Sequence, residues 1–82
     1  MKIYLIHNFD DIPSEVLEYE PIIINEGNFK EKKDAYKIKG RFAARKTPFI
    51  GIIDDDNNLI KGFYSEASSN VFKDFLEYEK QK

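Results

Sequence analysis

In this 82-residue chain few side chains can do chemistry, and the missing types decide most. There is no cysteine, so thiol nucleophiles, disulfides and thiolate metal sites are excluded. The single histidine, His7, rules out a multi-histidine metal site. His7 is an acid–base group by residue type. No nucleophile or metal partner accompanies it, so it reads as a plain polar residue at a strand end. Asp54, Asp56 and Asn58 have the spacing that opens a calcium loop, which then needs Gly at its sixth position and Glu at its twelfth. Leu59 and Ser65 stand there instead, so the acidic run reads as a hairpin turn.

A third group is basic. Lys30, Lys32, Lys33, Lys37, Lys39, Arg41, Arg45 and Lys46 form one segment, with Glu31 and Asp34 among them. Such a segment can touch phosphates or an acidic partner. Tyr36 and Phe42 interleave it, at a spacing that fits burial better than base stacking. It therefore reads first as a solvated helix face and second as a nucleic-acid contact. Asp10, Asp11 and the acids that follow them make an opposite pole.

These groups sit on elements that hydropathy and breakers mark out. Residues 2–7 are a β-branched and aromatic run, short enough for a buried strand. Ser14 can cap a short helix through Leu17 and Tyr19, which Pro21 stops. Residues 21–25 form a second apolar run without alternation, the pattern of a central strand buried on both faces. After the turn at Glu26-Gly27-Asn28, Asn28 can cap a helix toward Arg45, with Phe29, Tyr36, Ile38 and Phe42 buried. Gly40 weakens that helix. Residues 49–53 make a third strand and 59–64 a fourth, joined by the turn Asp54 to Asn58. Ser68 or Ser69 can cap the last helix, whose apolar positions Val71, Phe72, Phe75, Leu76 and Tyr78 fall on helical spacing.

The order β-α-β-α-β-β-α predicts a single α/β domain over 1–82. Its four-stranded mixed sheet should carry helices on both faces. With 41% hydrophobic residues, seven Phe and five Tyr, the chain can fill one core. The net charge of -2 gives no overall pull toward nucleic acid or an anionic membrane. No apolar run approaches the ~20 residues that span a bilayer, and the short apolar start lacks a secretory signal's charged region and cleavage site. The expected compartment is the cytoplasm, with no membrane partner. Lysine outnumbers arginine 11 to 2, a bias compatible with an AT-rich bacterial or phage genome.

A family resemblance enters at Arg41-Phe42-Ala43-Ala44-Arg45-Lys46-Thr47-Pro48-Phe49. This stretch resembles the segment of thioredoxins that leads into their cis-proline. The following strands and Ser69 to Leu76 resemble the thioredoxin C-terminal half, and the first half is similar in element order to the shorter glutaredoxin-like form. The resemblance implies a thioredoxin-like fold and a cis bond at Thr47-Pro48. It also implies a redox Cys-x-x-Cys just after the first strand, where this chain has His7-Asn8-Phe9-Asp10-Asp11-Ile12-Pro13. Thiol–disulfide activity therefore does not carry over.

What the resemblance leaves is a groove. His7, Asn8, Phe9 and Asp10 should line one side of it, and Lys46, Thr47 and Pro48 the other. This is the C-terminal end of the parallel strands, where open α/β sheets place their sites. Phe9 is expected to be exposed, because Asp10 and Asp11 follow it directly. The function expected is a non-catalytic protein-binding or adaptor module with no cofactor. The alternatives are a glutathione-like ligand site, or an enzyme working without a protein thiol, and a nucleic-acid accessory role for segment 30–46.

Overall fold

The computed structural model describes residues 1–66, 68 and 70–82. Seven elements follow in order: β1 (Lys2–His7), α1 (Ser14–Leu17), β2 (Ile22–Asn25), α2 (Lys32–Arg41), β3 (Phe49–Ile53), β4 (Leu59–Phe63) and α3 (Val71–Lys80). The strands form one mixed sheet in the order β2-β1-β3-β4. β1 runs parallel to β2, with Ile6 opposite Ile24, and antiparallel to β3, with Ile6 opposite Phe49. β3 and β4 form the expected antiparallel hairpin.

The sheet is buried on both faces because β1 and β3 alternate apolar side chains to either side. Leu5, Ile50 and Ile52 face Val16 of α1 and Val71 and Phe75 of α3. Ile6, Phe49 and Ile53 face Ala35 of α2, together with Phe42 and Ala44 beyond its end. Gly51 lets Phe42 lie flat on this second face, since a Cβ there would sit 2.7 Å from Phe42 Cε2. The mixed four-stranded sheet with helices on both faces is thus as the element order predicts. The Thr47–Pro48 peptide bond is cis. Among the described residues, no helix is long and apolar enough to cross a membrane.

Several local expectations are corrected. β2 is an edge strand rather than a central one, and Ile22 and Ile23 are exposed. The reason is pairing: β3 joins the far side of β1, so the two central places go to β1 and β3. Asn28 does not cap α2. Its side chain instead accepts from the Lys30 amide at 2.9 Å, closing a local turn. The helix starts three residues later than an Asn28 cap requires, with Glu31 in the N-cap place, and ends at Arg41. The inward side of α2 is Ala35, Ile38 and Lys39, and Tyr36, two residues from Ile38, falls on the opposite side of a 3.6-residue helix. Phe29 and Tyr36, expected inside, are 93% and 53% exposed.

Helix caps differ too. Pro13 holds the N-cap place of α1, without a side-chain bond, where Ser14 was expected. Asn70 caps α3 by accepting from the Lys73 amide at 3.1 Å. Ser68 precedes that cap, and Ser69 lies outside the described residues.

Candidate functional site

The register fixes what meets at the C-terminal end of β1. His7 lies opposite Asn25, the last residue of β2, while Ile6 lies opposite Phe49, the first of β3. Loop 8–13, turn 26–28 and the Thr47–Pro48 segment therefore leave the sheet at one edge.

The loop after β1 is held by its own polar groups. The Asp10 amide donates to His7 Nδ1 at 3.2 Å, and the Asn8 amide donates to Asp10 Oδ2 at 2.8 Å. Between them Phe9 adopts the left-handed region, φ 52, where few non-glycine residues sit. Its amide donates to Asn25 Oδ1 at 3.3 Å, and the Gly27 amide donates to the same oxygen at 2.9 Å. The Phe9 ring is 73% exposed and lies over Gly27, where a Cβ would run into the ring and into the Asn8 amide oxygen. Glycine at 27 is what lets the loop close over the turn. His7 is half-buried, with Nδ1 occupied as an acceptor, so its ring orients the loop.

Glu26 ties this edge to its neighbours, and the sequence did not single it out. Its amide donates to the His7 carbonyl at 2.6 Å. Its carboxylate pairs through Oε1 with Lys39 Nζ, and Thr47 Oγ1 donates to Oε2 at 3.5 Å. Lys39 is only 4% exposed, so it does not belong to a solvated basic face. A buried lysine needs a partner, and Glu26 supplies it from the turn beside the site. The missed signal is spacing: Lys39 falls on the Ala35–Ile38–Phe42 stripe, and a cation there calls for a nearby acid.

Of the expected site residues, His7, Asn8, Phe9, Asp10, Thr47 and Pro48 leave the sheet at this one edge. Thr47 and Pro48 are half-buried. Lys46 is exposed and lines a separate cleft of ≈ 340 Å³ with Ala43, Arg45, Tyr64, Ser65 and Glu66, which none of residues 7–10 lines. Tyr64 fixes that cleft's wall by donating its hydroxyl to the Phe42 carbonyl at 2.8 Å.

The acidic run Asp54 to Asn58 lies at the other end of β3. Asp54 Oδ1 accepts from the Asn58 amide at 2.8 Å and the Asp56 amide at 2.9 Å, and Asn58 Nδ2 donates to Oδ2 at 3.3 Å. The Asn58 amide above all holds the Asp54 carboxyl below its ordinary value. Its oxygens serve the hairpin, and the described residues contain no cluster of acids and histidine fit to hold a metal ion.

The edge thus offers an exposed aromatic ring on a fixed loop, backbone beside a cis-proline, and acidic and basic groups at its margins. It holds no thiol. No family model matches the chain, and no curated protein or solved structure matches it.

Proposed function

We propose that this chain is a thioredoxin-like domain without thiol chemistry that docks a protein partner across the edge formed by His7–Asp10 and Thr47–Pro48. The observation that carries the reading is Phe9. Its ring is 73% exposed on a backbone fixed by hydrogen bonds from both sides. It stands where the resemblance puts the redox cysteines. Large aromatics presented rigidly outside a core are the residues that anchor protein interfaces. The β-α-β-α-β-β-α order and the mixed sheet β2-β1-β3-β4 support the family reading. A partner segment laid beside Thr47 in extended form would add main-chain hydrogen bonds to the ring contact.

Two experiments test this. Disulfide reduction with dithiothreitol or glutathione as donor should stay at the protein-free blank, since thiol exchange requires a thiolate; turnover clearly above that blank sinks the chemical half. A partner recovered by affinity capture is then titrated against Phe9→Ala and Lys46→Glu, each checked for folding by circular dichroism. The docking reading expects Phe9→Ala to weaken binding at least about tenfold, with a smaller effect at Lys46, which lies across the neighbouring cleft. Unchanged affinity in both variants rejects this surface.

A further inference from the structure

We infer that the outer face of α2 is a second binding surface, built for single-stranded nucleic acid and separate from the edge at Phe9. Phe29, Lys32, Lys33 and Tyr36 line one shallow cleft of ≈ 360 Å³ on that face. Phe29 is 93% exposed and Tyr36 53% exposed. Exposed aromatic rings that share one cleft, rather than standing singly, mark a candidate contact surface.

Their surroundings say what they suit. Lys30, Lys32, Lys33 and Lys37 are all exposed, and none joins an ion pair among the described residues. Glu31 and Asp34 lie in the same stretch, but neither lines the cleft. Lys32 Nζ stands 5.6 Å from the Tyr36 ring centroid and the buried Lys39 Nζ 5.5 Å from it. Lys32 thus sets a solvent-exposed cation beside the ring, on a locally basic surface that also carries Lys30, Lys33 and Lys37, although the whole chain carries -2. Gly40, one turn beyond Tyr36, has open space around it. A helical side chain covers the turn before its own Cα, so at position 40 there is none to cover the ring.

Rings interleaved with unpaired lysines match a strand whose bases are free to stack and whose phosphates need cations. In a duplex the bases already stack on each other, so it would use the lysines alone. A purely acidic peptide such as polyglutamate, without apolar or aromatic side chains, would likewise leave the rings idle. The face is set on the side of the sheet opposite α3, and the inference stands or falls independently of partner docking at Phe9.

The test uses the full chain and fluorescence anisotropy with a labelled dT 12-mer at low salt. The comparison ligands are a 12-bp duplex, polyglutamate and phosphatidylserine vesicles. The dT strand should bind tightest. Phe29→Ala and Tyr36→Ala, both at exposed positions, should each weaken it at least about fivefold. The pair Lys32→Gln with Lys33→Gln should flatten the log–log salt dependence by about 1.4. Lys80→Gln, on α3, should change affinity less than twofold. The inference is overturned by absence of dT binding, or by ring variants that bind as the parent does. It is equally overturned if duplex, polyglutamate or vesicles bind as tightly as dT, or if Lys80→Gln weakens dT as much as the α2 lysine variants do.

Discussion

Lys39 carries a charge into the inward side of α2, and Glu26 meets it there. Removing one member of a buried pair leaves the other charge desolvated and alone, which costs about 3–5 kcal/mol when the pair is fully dry. Glu26 keeps some contact with water, so Lys39→Met should cost about 3 kcal/mol by urea denaturation, with Glu26→Gln in the same background recovering part of it. A single-variant cost near zero would mean that the pair is solvated. Asp54 makes a smaller, pH-dependent contribution. Hydrogen bonds, first that from the Asn58 amide, lower its folded pKa below the ordinary 3.8. The unfolded chain therefore takes up the proton at higher pH than the folded one. The stabilisation is complete above 3.8 and is lost as pH falls through the folded value. A carboxyl titration by NMR should place the Asp54 midpoint below 3.8, and a midpoint at or above it contradicts the turn geometry. His7, Phe9 and Asp10 could be picked from the sequence, because a strand end followed by acids must reach solvent. Glu26 could not, because nothing local in a Glu-Gly-Asn turn shows that a lysine thirteen residues on will fold back to it.

At the scale of elements, local patterning carried all seven segments but not every neighbour. β1, β3, the hairpin and α3 were legible because β-branched runs and helical spacing are strong local signals. β2 was misplaced because an unalternating Ile22–Ile23–Ile24 run looks doubly buried. Which side of β1 the third strand takes is a long-range choice that no local pattern records. The outer face of α2 was misread for a different reason. Phe29 precedes the helix, and Tyr36 and Ile38 cannot share one face of it, so with Ile38 inward both aromatic rings are exposed. α3 gives the sharpest elemental prediction. Phe75 is fully buried, edge-on to Tyr19 at 5.3 Å and to Phe63 at 5.8 Å, so it joins α3 to the turn after α1 and to β4 of the sheet. Phe75→Ala should cost roughly 3–5 kcal/mol in a denaturant titration. A loss below about 1 kcal/mol would mean that α3 packs with another face inward.

At the scale of the whole molecule, the fold brings the ends of β1 and β2 and the start of β3 to a common edge and leaves an aromatic ring exposed there. A sheet with this edge can serve many ends, and fold alone does not choose among them. What favours docking is an exposed Phe9 held over Gly27, beside a Thr47 segment tied to the same turn through Glu26. The most direct measurement is site-specific photocrosslinking in the cell of origin. A benzophenone amino acid replaces Phe9 in one sample and Lys80, on the distant α3, in another. The account predicts a discrete, saturable protein adduct from position 9 that position 80 does not give. The same adduct pattern from both positions, or none from position 9 under conditions where the protein is folded and abundant, would contradict it.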